Sequence, residues 1–254
     1  MSTEICKATP ERGVISYDYG DTAGAGFEAV TGNHVALPFL NLLQALSPEV
    51  AGTDSEIVDG AKPGMFLNSV TGELYDRLIF VPAYTRETWI QWQSREAGGG
   101  KVAEYPPEHS CIVAAREVAD QWNRLKIGDD SLIQTFLLLG LVVSDSDAPT
   151  PAVLSLSSTK IKPYKAFMTR LSLFRLNGQQ PPLSAHTIRI SSAKETNRNN
   201  QPYFNVRFEA ACENNIARSL LPPGNETSRM ADQLRQSYLG SSVRVSEQTS
   251  DLPF

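Results

Sequence analysis

The 254-residue chain is poor in residues that tie a fold together through covalent or metal bonds, with only three cysteines and three histidines. Cys6, Cys111 and Cys212 are widely spaced, which indicates free thiols in a reducing compartment rather than a disulfide framework. No His-Glu-x-x-His motif and no Cys-x-x-Cys pair is present, so we predict no metal site and no other cofactor. We expect a core held by apolar burial alone, which a chain of this length can supply.

Long hydrophobic runs are also missing. The longest, Phe136 to Val143, is far shorter than the roughly 20 residues that a membrane-spanning helix needs. The N-terminus has no basic segment followed by an apolar one, as a secretory signal would. We therefore expect a soluble cytoplasmic protein with no membrane partner. Whether it forms a homo-oligomer is left open by the sequence.

Positive charge is scarce overall and concentrated in one region. The chain carries 23 Lys and Arg against 28 Asp and Glu, a net charge of −5. Between Ser157 and Glu209, however, nine basic residues face only two acidic ones. This asymmetry is typical of a polyanion-binding region inside an acidic protein, although a chance cluster on a solvated surface would give the same count.

The hydrophobic pattern predicts a mostly β protein with two or three helices (α+β). Helical spacing indicates one helix over Cys111–Lys126, a second after Pro163, and a short final helix ended by Gly240. Alternation and turn residues indicate the remaining elements as strands, namely part of Val35–Leu46, a hairpin of Met65–Val70 with Glu73–Val81, then Tyr84–Gln93, Leu132–Val143 and Ala152–Leu156.

A last hairpin provides the first candidate site. Thr187–Ser191 and Tyr203–Ala210 alternate apolar with polar residues, and a long cationic loop, Lys194 to Pro202, joins them. Such a ribbon can follow phosphates while its aromatic ring stacks on a base; an ordinary polar sheet face is the alternative. Its candidate nucleic-acid-binding residues are Arg189, Lys194, Arg198, Tyr203 and Arg207.

Two further groups mix aromatic and cationic residues. The segment Tyr84 to Lys101 contributes the candidates Tyr84, Arg86, Trp89, Trp92, Arg95 and Lys101. In a regular strand Trp89 and Trp92 point to opposite faces, so only one of them is free to stack. The start of the second helix contributes Lys160, Lys162 and Lys165, where free backbone N–H groups attract phosphate.

Signals for catalysis are poor, and we predict that the protein is not an enzyme. Gly98-Gly99-Gly100-Lys101 lacks the leading glycine and the Ser or Thr of a phosphate-binding loop. Acidic pairs at Asp129-Asp130 and Asp145/Asp147 could hold a nuclease metal, but both lie in turn-like sequence, where solvated carboxylates are common.

The chain ends in Asp251-Leu252-Pro253-Phe254 after a polar stretch that we predict to be a disordered tail. This ending resembles that of bacterial single-stranded DNA-binding proteins, in which an acidic tail with a Pro-Phe tip binds repair and replication enzymes. The resemblance implies that these four residues bind partner enzymes.

The body is similar to larger bacteriophage single-stranded DNA-binding proteins. The similarity lies in Gly64-Met65-Phe66-Leu67-Asn68, Thr71-Gly72-Glu73, Trp92 and Arg95-Glu96-Ala97-Gly98-Gly99-Gly100. It implies an OB-fold-like barrel elaborated by helices and a long β-hairpin. We divide the chain into a flexible arm (1–33), one DNA-binding domain (34–240) and the tail (241–254).

The resulting hypothesis is a phage protein that coats single-stranded DNA without sequence preference during replication and recombination, and recruits enzymes through its tip. Three alternatives stay open: a decoy that shows the tip to a host repair enzyme without binding DNA, a metal-dependent DNA nuclease, and a strand-annealing protein.

Overall fold

The computed structural model describes residues 36–53, 56–120, 124–144 and 148–240, together with positions 21 and 25. The flexible arm predicted for 1–33 lies outside the described residues except at those two positions, and so does the predicted tail. Within the described ranges the fold is mixed α/β, with mostly antiparallel sheets and few helices. The α+β expectation is confirmed at this level.

A small three-stranded sheet comes first in the chain. It has the order β1-β2-β3 and consists of Leu40–Leu42, Phe66–Asn68 and Leu74–Tyr75. The turn predicted at Thr71-Gly72 joins β2 to β3 as an antiparallel hairpin. Asn68 Oδ1 accepts hydrogen bonds from the backbone N–H groups of Val70 and Thr71, which fixes this turn.

A seven-stranded antiparallel sheet forms the body of the protein. Its strands are β4 Arg77–Trp92, β5 Lys101–Tyr105, β6 Leu125–Ile127, β7 Asp130–Val143, β8 Thr150–Ser157, β9 Ile188–Thr196 and β10 Pro202–Ala210. The order β10-β9-β4-β7-β6 runs through the sheet, with β5 paired to β4 and β8 to β7. The pair β4–β7 is its long backbone, and the predicted strands at Tyr84–Gln93, Leu132–Val143 and Ala152–Leu156 are confirmed.

A β-bulge in β4 decides which side chains face which side of the sheet. The register with β7 shifts between Pro82 and Tyr84, at a proline that cannot donate to the ladder. Before the bulge, Phe80 faces the main core. After it, Thr85 takes the core side and Tyr84 the opposite one, because one extra residue reverses the alternation.

In the described part of the chain, four α-helices accompany the sheets: α1 Pro48–Ala51, α2 Ser110–Glu117, α3 Ile161–Leu173 and α4 Glu226–Gly240. The predicted stripe of α3 is confirmed, since Tyr164, Phe167 and Leu171 are buried. The prediction of a helix over Cys111–Lys126 was wrong in its extent. The helix ends at Glu117, and Leu125 belongs to β6, where it pairs with Leu132 of β7, so a strand contact overrides the helical spacing.

Two apolar cores lie along the length of the β4–β7 pair. The main core packs α3 and the small sheet against the inner face of the large sheet. A distal core, at the far end of the pair, packs α2 against Trp89, Leu125 and Leu132. On the outer face, α4 covers Val81 and Leu141 with Ala231, and Leu137 and Leu139 with Leu234. The long pair therefore presents an inner face toward α3 and an outer face toward α4.

The sheets do not close into a barrel, so the OB-fold-like barrel is not confirmed. The edges β8 and β10 are instead approached by β1 and its following loop. Phe39 forms one parallel bridge with Val153 of β8. At β10 the Gln44 side chain donates to Phe204 O and accepts from Phe204 N, both at 2.9 Å. A Cβ on Gly64 would lie 2.6 Å from the Phe204 ring, which excludes any larger residue there.

Within the part of the chain that the structure describes, none of the helices is both long and apolar enough to cross a membrane.

Candidate functional site

The cationic hairpin of the sequence analysis is formed by β9 and β10, paired from Ile188–Ala210 to Thr196–Pro202. The strands are longer than predicted and the connecting turn shorter, because Lys194 pairs with Phe204 inside the ladder. Asn197 holds the turn: its Oδ1 accepts from the N–H groups of Asn199 and Gln201, both at 2.9 Å. Arg198 is thus carried on an ordered, exposed turn rather than on a loose loop.

Tyr203 bonds within the hairpin, and Asn205 ties the hairpin to the start of α3. Tyr203 Oη donates to Glu195 Oε2 at 2.5 Å, and this hydrogen bond is the main cause that raises the pKa of Tyr203. Asn205, which is buried, donates to the same Glu195 oxygen at 3.1 Å and to Thr159 O at 3.3 Å. Because Thr159 directly precedes Lys160, the contact brings the hairpin beside the lysines of α3. Tyr203 is consequently held by a hydrogen bond at the position where a stacking ring was predicted.

Two arginines predicted on the hairpin are already engaged. Arg189 is half-buried and donates to Ala211 O at 2.5 Å. Arg207 is exposed but pairs with Glu209 on the same strand at 2.7 Å. By contrast, Lys194 and Arg198 are exposed, and neither forms an ion pair within the described ranges. The available positive charge therefore lies toward the turn of the hairpin.

Three lysines surround the first turn of α3. Lys162 is exposed and forms no ion pair with any described residue, whereas Lys160 is half-buried. Lys165 is exposed, and its Nζ lies 4.9 Å from the centroid of the Phe136 ring on β7, within the range of a cation–π contact. We call the start of α3, together with β9, β10 and their turn, the hairpin–helix surface.

Tyr84, Arg86 and Lys101 lie elsewhere, on the outer face. The Tyr84 ring packs against Tyr238 of α4, with centroids 5.6 Å apart. Arg86 pairs with Glu104 and lies 5.6 Å from the same Tyr238 ring, while Lys101 pairs with Glu104 at 3.1 Å. Burial is the main cause that raises the pKa of Tyr238. This cluster attaches the last turn of α4 to β5, and its one carboxylate is shared by two cations.

The tryptophans have different environments, as the alternation of the strand predicts. Trp89 is 8% exposed in the distal core, and Arg116 of α2 lies 5.4 Å from its ring. Its indole Nε1 is buried with no partner among the described residues. Trp92 is half-buried beside Lys101 and Ser131. Arg95 lies in a short 3₁₀ helix after β4. Trp92 is therefore the ring of this pair that remains accessible to a base.

The structure separates the candidates into two groups on opposite faces of the β4–β7 pair. Phe136, which Lys165 contacts, packs with the main core, whereas the next residue, Leu137, packs with Tyr84 under α4. The α3 lysines thus lie on the inner side, and Tyr84, Arg86 and Lys101 on the outer one. Arg189 has the outer alternation too, because it pairs with Ile79 whereas its neighbour Ile188 pairs with Phe80 of the main core. Tyr238 and Arg116 were not among the predicted site residues, although they contact the rings of Tyr84 and Trp89. These contacts come from other elements of the fold, so the local sequence pattern does not reveal them.

The remaining candidates are the acidic pairs that could bind a metal and the C-terminal tip. No cluster of three or more His, Cys, Asp or Glu side chains suited to a metal occurs among the described residues. Asp130 accepts from Gln91 Nε2 at 2.6 Å and supports the end of β4. Asp145 and Asp147, and the tip residues Asp251, Leu252, Pro253 and Phe254, lie outside the described residues.

The fold defines a β-rich, mixed α/β class of protein with a basic hairpin at one edge of its large sheet. Comparison with protein families then identifies it more closely. The chain belongs to the Pam3 phage gp34-like protein family, whose profile matches residues 12–221. A bacteriophage origin, as the sequence predicts, is supported. The match ends before α4 and the C-terminal tip. Comparisons with curated proteins and with solved structures gave no match.

Proposed function

We propose that this protein is a non-catalytic, sequence-independent single-stranded DNA-binding protein of phage replication and recombination. The observation that carries the proposal is the hairpin–helix surface, where Lys162, Lys194 and Arg198 are exposed without ion pairs. Exposed cations on two contacting elements suit a flexible polyanion, since phosphate contacts supply most of the affinity for nucleic acid.

The surface suits a single strand better than a duplex for a physical reason. Its cations project from β9, from the hairpin turn and from the start of α3, and Asn205 of β10 joins the hairpin to Thr159 beside that start. Among the described residues, the helix at this surface is α3, which packs one face against the large sheet and does not stand clear of the body to enter a major groove. The single strand would follow the inner face from α3 past Lys165 and Phe136. Trp92 alternates with Trp89 and lies on the outer face with Arg86 and Lys101, so base stacking on it, at about 1–3 kcal/mol per base, requires the DNA to pass round the far end of β4.

The OB-fold-like barrel remains part of the proposal. The path β10-β9-β4-β7-β8 contains five strands, and β1 stands between its two edges through the Phe39–Val153 bridge and the Gln44–Phe204 contact. An opened barrel of this kind would explain why side-chain hydrogen bonds replace a strand ladder at the β10 edge.

The decisive experiment is a fluorescence-anisotropy titration of the full chain with oligo-dT and with duplex DNA of equal length at several salt concentrations. We expect tighter binding of oligo-dT, with an affinity that falls as salt rises. Equal affinity for both DNAs, or affinity independent of salt, would contradict the proposal. No binding to either DNA would favour the decoy.

We also propose that Asp251 to Phe254 recruit replication or recombination enzymes. Deletion of Leu252 to Phe254 should leave oligo-dT affinity nearly unchanged and abolish capture of such enzymes from host extract, because the resemblance implies that Phe254 is the docking group. Loss of DNA binding upon this deletion would refute the separation of the two roles.

A further inference from the structure

A groove runs between α3 and the β10 edge, within the hairpin–helix surface. Its volume is about 280 Å³. The floor is apolar and consists of Phe167, Val206 and Phe208, and the rings of Phe167 and Phe208 are 5.9 Å apart and nearly parallel. Ala166 of α3 and Ala193 of β9 line the groove, and their small side chains leave the space between the two elements open.

The polar groups of the groove differ along its length. Arg170 lies 5.7 Å from the Phe167 ring and donates to Asn214 Oδ1 at 3.3 Å, so its guanidinium is held in place. Arg207 also lines the groove; it is exposed and pairs with Glu209 at 2.7 Å. Glu195 supplies a carboxylate already oriented by Tyr203 and Asn205. An apolar floor between fixed cations and a fixed acceptor suits a ligand with a planar apolar body, an anionic group and a hydrogen-bond donor.

We propose that this groove receives one base of the bound single strand and favours a base with an exocyclic amino group, cytosine over thymine. The inference rests on the proposed function and adds, to phosphate contacts that do not depend on sequence, a small base preference at one position of the same surface. The base would lie on the apolar floor, of which Phe167 and Phe208 expose 3% and 7%, with its flanking phosphates near Arg170 and Arg207 and its amino group donating to Glu195. A carboxylate accepts from the amino group of cytosine, whereas thymine presents a carbonyl oxygen there and would be repelled.

Charge complementarity favours a nucleotide over a peptide as the occupant. Arg170, Arg207 and the exposed Lys162 on the preceding turn of α3 outnumber the two nearby carboxylates, Glu195 and Glu209, the second of which pairs with Arg207. An apolar side chain of a protein partner would fill the floor but would bring no negative charge to this net positive groove.

The test compares oligo-dC with oligo-dT of equal length by anisotropy, at one salt concentration, for the full-length wild type and three variants. We expect wild type to bind oligo-dC about fivefold more tightly, as one added base contact allows. Glu195→Gln should bring the ratio to about one, because its amide can also donate to thymine. Ala166→Leu, which fills the groove from an exposed helical position, should weaken binding of both and remove the preference.

Ala114→Leu is the matched control, since Ala114 is an exposed alanine within α2, outside this surface. It should keep the wild-type affinities and ratio. Single-strand binding with a dC-to-dT ratio near one in wild type, or a ratio unchanged in Ala166→Leu and Glu195→Gln, would overturn the inference while leaving the proposed function intact. Absence of binding to both oligonucleotides would overturn the proposed function, and the inference with it.

Discussion

Removal of the unpaired cations from the hairpin–helix surface is the most direct perturbation of the proposed DNA-binding site. The triple variant Lys162→Ala, Lys194→Ala, Arg198→Ala takes away three exposed charges that lack ion pairs in the described structure. Since none of these side chains is buried, the free energy of unfolding should change by no more than about 0.5 kcal/mol per substitution. Any large effect on DNA affinity would then report on binding rather than on folding.

The expected loss of DNA affinity in the triple variant follows from the release of counterions. Each phosphate contact to a single strand contributes about 0.7 to the slope of log affinity against log salt. Loss of three contacts should therefore make the slope less steep by about 2. At 0.15 M salt the same relation gives about a fourfold loss of affinity per contact and about a fiftyfold loss for the triple variant.

The assay is oligo-dT anisotropy between 0.05 and about 0.5 M salt, the range over which such slopes are measurable. Lys126→Ala serves as the matched control for Lys162→Ala, because Lys126 is an exposed lysine on β6 in the distal part of the protein. We expect the control to keep the wild-type slope. A triple variant with an unchanged slope, or a Lys126→Ala variant with the same loss as Lys162→Ala, would refute the assignment of this surface.

Three further predictions concern stability, each measured by urea unfolding. Gln44→Ala should lower the free energy of unfolding by about 1–3 kcal/mol, because both backbone groups of Phe204 lose their partner at a part-buried edge; the exposed Gln180→Ala is the control, and equal losses would argue against this role. Trp89→Ala should cost about 3–5 kcal/mol through the distal core, and Trp92→Ala clearly less, so similar costs would contradict their different burial. Burial lowers the pKa of His186 below its ordinary value of 6.5. As the pH falls, the unfolded chain therefore takes up a proton at a higher pH than the folded protein does. The free energy of unfolding should consequently decrease as the pH drops below 6.5. His186→Gln should flatten this dependence between pH 7.5 and 5.5, and a variant as acid-sensitive as wild type would show that other groups cause it.

The groove beside α3 illustrates why a binding surface can escape a reading of the sequence. Phe167 carries the signature of a core residue, and the structure confirms that it is buried. Its ring nevertheless forms part of a floor, because the neighbouring positions on both elements are alanines. The groove is open because of the distance between α3 and β10. Neither the helical pattern of α3 nor the alternation of β10 predicts that distance.

Local periodicity was sufficient to predict the elements whose apolar residues all face one core. The stripe of α3, the β9–β10 hairpin and the β7–β8 pair follow from spacing alone, since a 3.6-residue or two-residue repeat with one buried face admits a single regular structure. Periodicity did not predict where α2 ends, because Leu125 continues the helical spacing but belongs to β6 and pairs with Leu132 of β7. There a strand partner, rather than intrinsic preference, determined the conformation.

The sequence by itself determined that the chain is β-rich, that its positive charge is concentrated between Ser157 and Glu209, and which segments alternate. Only the tertiary structure decided which cations stay available. Arg86 and Lys101 share Glu104, and Arg189 turns to a backbone carbonyl. The bulge at Pro82 places Tyr84 under α4, away from Lys165. Partners for these side chains come from other strands and helices, and a one-residue shift in register reverses every later side chain, so composition and spacing could not reveal which residues would meet.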